Sequence, residues 1–400
     1  MKKRVLVATA SFAGIAMLIT GISLSPAYAV PNYPSAAEVA AAKRNVTAKA
    51  EMITRIEGIL QELETEARAL ERVALQKSEA HNQAKAAAAE MAAKVKGLEA
   101  KVSEAADQAA AAELQMGQVI GRLYRQGTSG NTTLEIFFNP DNSEELLYQL
   151  GAQQLIAQRT DAIYREALSK QAQAKALAVE LSSSQQELAA RQAAAKKLLD
   201  EAQAAANAVI SKVNESERER ATAMNQLASL KDTASDLERQ RREGLEAERR
   251  QNAVKDAPTA PELYSVGAPD AEKVERAIAF ATEQLGERYV LGGAGPNVWD
   301  CSGITMKSYA AAGVYIGWHS ATAQYNVMAA QRKLVPFQDA QRGDLIWWST
   351  ERAFSGDKYH VAIYLGNGMM LEAPNPARTV RIVPVRFGEL WPYAGRPTAD

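Results

Sequence analysis

The sequence is poor in residues that lock a chain or break a helix. It holds one cysteine, Cys301, in 400 residues, so no disulfide within the chain is available and the fold must be held by packing. Proline is absent from 35–139 and again from 141–257, which leaves two runs free to be single, very long helices. All five tryptophans lie at or beyond Trp299, so the segment before 252 has little material for a globular core. An excess of one charge is missing as well. With 46 basic and 47 acidic side chains the net charge is -1, which offers no footprint for nucleic acid. No metal-ligand cluster and no nucleotide-binding loop can be read, so no cofactor is expected.

The N-terminus carries the first positive signal. Met1-Lys2-Lys3-Arg4 is basic, Val5 to Leu24 is apolar, and Ala27-Tyr28-Ala29 has the small-x-small pattern of a signal-peptidase site. A signal peptide over 1–29 is expected, with an uncleaved anchor as the alternative; Thr9, Ser11, Thr20 and Ser23 dilute the apolar run. Either way the chain from Val30 onward is expected outside the cytoplasm. There a free thiol is a liability unless it is used or buried. Cys301 is therefore a candidate nucleophile, against the alternative of an inert buried cysteine.

Between 30 and 252 the good helix formers Ala, Glu, Gln, Lys, Leu and Arg dominate. Ile53, Ile56, Leu60, Leu63, Ala67, Leu70 and Ala74 step by three and four. Leu177, Leu181, Ser184, Leu188, Ala195 and Leu198 follow the same rhythm, and Leu227, Leu230, Ala234 and Leu237 resume it. Such a stripe seeks a partner helix, and alanine predicts close packing with little buried area. Ser35 and Glu38 have capping-box spacing, so the first helix is expected from about Ala36 to Gln126. His81 falls on it as a solvated residue. The glycine-rich group at 127–131 and Asn139 to Ser143 read as turns flanking Leu134, Ile136, Phe137 and Phe138, either a capped hairpin tip or a docking surface. Ser143 starts the second helix, with Leu146, Leu147 and Leu150 facing inward. An antiparallel coiled coil over 30–252 is expected, its pairing within one chain or between two left open. Ala257-Pro258-Thr259-Ala260-Pro261 and Gly267-Ala268-Pro269 mark a linker over 253–270. The composition of 271–400 is that of a compact α+β domain.

That last segment concentrates the chemistry. Tyr289 to Pro296 is glycine-rich, then Trp299-Asp300-Cys301-Ser302-Gly303 leads into a helical stretch to Ala312. A cysteine at a helix N-terminus faces unpaired N–H groups, which stabilise a thiolate and can hold an oxyanion. A thiolate needs a base, and His360 opens the strand-like Val361-Ala362-Ile363-Tyr364-Leu365. If Gly366-Asn367-Gly368 is a three-residue turn, Leu365 pairs with Met369 and Ala362 with Glu372, placing Glu372 on the face of His360. A two-residue turn would move Glu372 to the other face.

Five separated blocks now resemble the NlpC-type papain-like cell-wall peptidases in order and spacing. They are Tyr289-Val290-x-Gly292-Gly293, Asp300-Cys301-Ser302-Gly303, Ser320-x-x-x-Gln324, Arg342-Gly343-Asp344-Leu345 and His360-Val361-Ala362-Ile363-Tyr364-Leu365-Gly366. The resemblance covers 271–400 and implies a papain-like α+β fold with helices on an antiparallel sheet. It implies hydrolysis of the D-glutamyl–diamino-acid bond of peptidoglycan stem peptides through an acyl-enzyme on Cys301. His360 would be the base and Glu372 its orienter, with Tyr289, Asp300, Ser302, His319 and Ser320 around the substrate. Trp318-His319 departs from the Pro-Arg pair common in the family, and Leu291 stands where many members have tryptophan. An amidase or acyltransferase of the same superfamily, or a non-catalytic wall-binding scaffold, are the competing readings. The helical segment resembles that of RipC-like and PcsB-like division hydrolases, which implies recruitment by an FtsX-type division transporter and a cover over the cleft until then. Self-association through the coil is the remaining partner expectation.

Overall fold

The structure is a computed structural model and describes residues 34–126, 143–232, 239–242, 244–245 and 257–399. The expected signal peptide, the 127–142 tip, and Ala234 and Leu237 lie outside the described residues. So do the side chains of Leu146, Leu147 and Leu150.

Helix α1 (Ala36–Ala42) begins with the expected reciprocal cap: Glu38 N–H donates to the Ser35 hydroxyl, and the Glu38 carboxylate accepts from Ser35 N–H. Composition predicts one helix from about Ala36 to Gln126, but the structure breaks it into Ala36–Ala42 and Val46–Gln126. The chain turns at 43–45 because Asn45 offers its side-chain oxygen to the backbone N–H groups of Thr47 (2.9 Å) and Ala48 (3.3 Å), starting a new helix. That helix, α2 (Val46–Gln126), has 81 residues and is about 120 Å long.

Helix α3 (Ser143–Lys231) returns antiparallel to α2 within the same chain. Lys77 reaches Glu201 (2.7 Å), Arg191 the Ala87 carbonyl (3.5 Å) and Lys170 Gln108 (2.9 Å), pairs whose numbers run in opposite directions. Ile56, Leu60, Leu227 and Leu230 of the expected stripe are buried together with Val39 and Ala42 of α1. Ala74 packs with Val209 and Val213. His81 is buried between the helices rather than solvated, its Nδ1 3.1 Å from the Ala195 carbonyl. Its position opposite an alanine leaves room for a ring in the seam.

Residues 257–270 form no helix or strand, and Ala257, Ala260, Tyr264 and Val266 lie against the following domain. There α4 (Ala271–Glu283), capped by Asp270, packs beside α5 (Cys301–Ala311). Strands β1 (Arg288–Tyr289) and β2 (Val298–Trp299) form a small parallel pair. After α6 (Ala321–Ala330) come β3 (Leu334–Pro336), β4 (Leu345–Trp348), β5 (His360–Gly366), β6 (Met369–Glu372), β7 (Arg381–Pro384) and β8 (Tyr393–Gly395). They make one antiparallel sheet in the order β3-β8-β4-β5-β6-β7. Trp299, Trp347, Trp348, Tyr309 and Tyr325 fill its core.

Two of the motif blocks serve this architecture. Asp344 is buried against Arg396 (3.0 Å), and the Tyr309 hydroxyl donates to the Gly343 carbonyl. Gln324 accepts from Thr305 (2.8 Å) and donates to the Ser302 carbonyl (2.8 Å), tying α6 to the first turn of α5.

Candidate active site

Cys301 is the first residue of α5, and Asp300 is its N-cap, accepting from Gly303 N–H at 2.7 Å. The close fit needs glycine at Gly303, because a Cβ there would lie 2.0 Å from the Gly293 carbonyl oxygen. Cys301 itself is 3% exposed. Burial pushes its thiol well above the ordinary value, and the charges of Asp300 and Glu79 push the same way. Hydrogen bonds from Val361 and Ser302 N–H oppose them. The helix N-terminus expected to favour a thiolate is present, but in this conformation the thiol is held neutral.

The Val361 contact places Cys301 against the start of β5, where His360 stands. The hairpin that follows is shorter than the three-residue turn expected. Gly366 pairs with Met369, leaving only Asn367 and Gly368 in the turn. A bulge between Tyr364 and Gly366 then restores the parity, so that Ile363 pairs with Leu371. Glu372 therefore reaches His360, with 2.7 Å between His360 Nε2 and Glu372 Oε2.

Both residues are fully buried. Burial alone would raise the carboxyl of Glu372, but the charge of Arg386 and hydrogen bonds from His360 and Arg386 hold it well below the usual range. An ionised carboxylate only accepts, so Nε2 donates and the ring carries its proton there. Nδ1 is buried, has no hydrogen-bond partner among the described residues, and is left free to take a proton. Burial lowers His360, partly offset by Glu372.

Residues 286–391 match the NlpC/P60 family. The C-terminal unit is an NlpC/P60 domain. The peptidoglycan endopeptidase RipA of Mycobacterium tuberculosis is 38% identical over 104 residues, 26% of this chain and 20% of that protein. A gamma-D-glutamyl-L-lysine dipeptidyl-peptidase of Bacillus cereus is 33% identical over 112 residues, 28% of this chain and 32% of that one. The chain thus spans a third or less of these relatives. The solved P60 domain of the antigen MAP1204 from M. avium subspecies paratuberculosis is 32% identical, covering 32% of this chain and 96% of that one, at a TM-score of 0.27.

The remaining expected residues of the NlpC/P60 domain gather around Cys301. His319 Nε2 lies 2.6 Å from Asp300 Oδ1. Burial would raise Asp300, but the charge and hydrogen bond of His319, followed by the Gly303 and Asn82 bonds, hold it below its ordinary value. Ser302 donates to Asp300 (3.3 Å), Ser320 caps α6, and Tyr289 is buried with its hydroxyl 3.3 Å from that of Ser78.

That last partner belongs to α2, whose polar face enters the cleft. Glu79 accepts from the Ser320 hydroxyl (2.5 Å), Ala321 N–H (2.8 Å) and Thr322 N–H (3.0 Å) at the N-terminus of α6. One turn on, the Asn82 amide donates to Asp300 (3.1 Å) and Ser302 (3.5 Å). Gln83 donates to Thr322 and Asp357, Gln76 to Thr350, and Arg72 to Glu389 (2.5 Å). Reading the apolar stripe did not find these residues. The available signal was the polar run Gln76-Lys77-Ser78-Glu79 with Asn82-Gln83, where the stripe falls silent after Ala74. Arg381 of β7 and Arg386 just beyond it, which bond Glu372, carry no pattern in the sequence because isolated arginines have no periodicity.

Proposed function

We propose that this chain is a secreted peptidoglycan D,L-endopeptidase of cell-wall remodelling or division, cleaving the D-glutamyl–diamino-acid bond of stem peptides and restrained by its own helix α2. The observation that carries the reading is the assembly of Cys301 at a helix N-terminus beside a buried His360–Glu372 pair. In the reaction the thiol proton passes to His360 Nδ1 as Sγ attacks the glutamyl carbonyl carbon. The oxyanion points toward the N–H groups of the first turn of α5. His360 returns the proton to the amine of the diamino acid, the C–N bond breaks, and water releases the acyl group from sulfur by the reverse roles. Glu372 keeps the proton on Nε2 so that Nδ1 faces the chemistry. Asp300, Ser302 and Tyr289 are positioned to hold the free amino end of the substrate, with His319 fixing Asp300. Ser320 and the α6 N–H groups offer donors to a carboxylate. The Bacillus cereus relative, a gamma-D-glutamyl-L-lysine dipeptidyl-peptidase, supports this choice of bond.

The restraint is supported by what α2 brings. The Asn82 amide sits where an ammonium would meet Asp300 and Ser302, and Glu79 sits where a carboxylate would meet Ser320 and α6. Recruitment by an FtsX-type transporter domain is the proposed means of withdrawing α2. Muropeptide mass analysis tests the whole reading. Wild-type chain with α2 released must yield new N-terminal diamino acids, and Cys301→Ala must yield none. New termini at any other bond point to an amidase or acyltransferase instead. If Glu79→Ala with Asn82→Ala digests walls no faster than wild type, α2 is not the restraint.

A further inference from the structure

Glu372 is surrounded by more donors than the orientation of one histidine needs. Its Oε2 accepts from His360 Nε2 and from Arg386 Nη2, both at 2.7 Å. Its Oε1 accepts from Arg386 Nη1 (2.6 Å) and from Arg381 Nη2 (2.9 Å) and Nε (3.1 Å). Arg386 thus bridges the two oxygens with its fork, the geometry that guanidinium offers and ammonium does not. The fork is itself held. The Trp348 ring lies 5.1 Å from the guanidinium carbon and 5.1 Å from the His360 ring, and Trp348 Nε1 donates to the Arg386 carbonyl at 2.8 Å. One tryptophan therefore fixes both ends of the chain of contacts from arginine through carboxylate to imidazole.

We propose that Arg386, assisted by Arg381, is a positioning residue for the catalytic pair: its fork fixes the oxygen that receives the His360 Nε2 proton and keeps Glu372 an acceptor. The proposal rests on the reading of His360 as the base. The physical reason is the cost of a lone buried charge. A carboxylate as buried as Glu372 and bonded only to a histidine would be driven toward its neutral form. A neutral Glu372 can donate to Nε2, which would move the ring proton to Nδ1 and leave nothing to accept from Cys301. Two guanidiniums against one carboxylate leave an excess positive charge beside the ring, which opposes protonation of both nitrogens. Among the described residues, the other titratable groups facing this cluster are Glu71 of α2 and Tyr359, which precedes β5, while Cys301 of α5 lies against β5 beside Val361. Glu71 lies within electrostatic range of Arg386, Arg378 and Arg381. Its negative charge opposes theirs while α2 is in place.

The test uses the full chain labelled with 15N-histidine. Three histidines, His81, His319 and His360, give few signals, assigned with His81→Gln and His319→Gln. Wild type should show His360 with its proton on Nε2 and a bare Nδ1. Arg386→Met should raise the His360 titration midpoint by about one pH unit and populate the Nδ1–H tautomer. Arg386→Lys keeps the charge without the fork, so its midpoint should stay near wild type while the tautomers mix. Arg381→Met, at a half-exposed side chain, should shift the midpoint in the same direction by less. An unchanged midpoint and tautomer in Arg386→Met with intact near-ultraviolet circular dichroism overturns the proposal. Should that variant not fold, unchanged signals in both Arg386→Lys and Arg381→Met overturn it equally. Because no wall peptide is cleaved in this experiment, a chain inert toward muropeptides would sink the proposed activity and leave this result standing.

Discussion

The rod and the domain at its side solve the same problem with opposite materials. The α2–α3 pair buries Ala74, Ala195, Ala202, Ala206, Ala223 and Ala228, whereas the NlpC/P60 domain buries three tryptophans and two tyrosines outright. Burial stabilises in proportion to apolar area, at roughly 25 cal/mol per Å², so each of these alanine positions contributes little. Toward the far end the seam thins further, leaving Leu155 68% and Tyr124 89% exposed. A domain with one interlocked core is specified at almost every position. The rod is specified mainly by its length, by the small cluster near α1, and by the polar residues it lends to the cleft.

Substitutions can break this contrast, and the largest effect is expected inside the domain. Gly303→Ala brings a Cβ against the Gly293 carbonyl and the His319 ring, at 2.0 and 2.9 Å, and should cost more than about 3 kcal/mol. Melting should show the near-ultraviolet aromatic signal collapsing first while far-ultraviolet helicity persists. In the rod, Leu227→Ala removes a fully buried side chain from a small cluster. Its expected cost is about 2 kcal/mol, read as earlier loss of helicity with the aromatic signal unmoved. If both signals fall together, the rod and the domain form one cooperative unit and the contrast is wrong.

Where the two meet, the effects should be on access rather than on folding. Glu79→Ala with Asn82→Ala removes a buried carboxylate and an amide that bond the cleft. Alkylation of Cys301 should then speed up about tenfold or more, because charged hydrogen bonds contribute about 1.5–3 kcal/mol each. Melting curves should change little. The pH dependence of stability sharpens the domain side. Glu372 is held well below the ordinary carboxylate value of 4.5, so its contribution is present above that value and lost as pH falls below it, through its own depressed value. Wild type should lose thermal stability on acidification in that window, and Glu372→Gln, weaker at neutral pH, should lose less over the same range. The smallest effect is expected for Arg378→Ala, which removes an exposed pair with Glu217 of α3 at 3.2 Å and should shift melting by less than about 1 kcal/mol.

Much of this was legible in the residues. Missing prolines allowed the long helices, the three-four stripe named Ile56, Leu60 and Leu227 as seam, and Ser35 with Glu38 marked the first cap. The lone cysteine beside Asp300, and a histidine opening a β-branched run, picked out the pair that the fold brings together. Local spacing carries these signals because helix periods, caps and strand alternation depend on near neighbours.

Less was legible where distance along the chain was large. Asn45 breaks the first helix by a local side-chain competition that helix-forming composition does not register. Glu372 reaches the face of His360 through a bulge that the length of the turn does not encode, and His81, solvated on an isolated helix, is buried because α3 lies over it. The sequence alone determined two long helices, an α+β domain and the residues competent for thiol chemistry. Only the tertiary structure decided that Glu79 and Asn82 enter the cleft, across more than 200 residues of chain, and that Arg386 grips the carboxylate behind His360. Polar contacts of that range leave no periodicity, since what selects them is the shape and charge of a partner surface that exists only once the chain has folded.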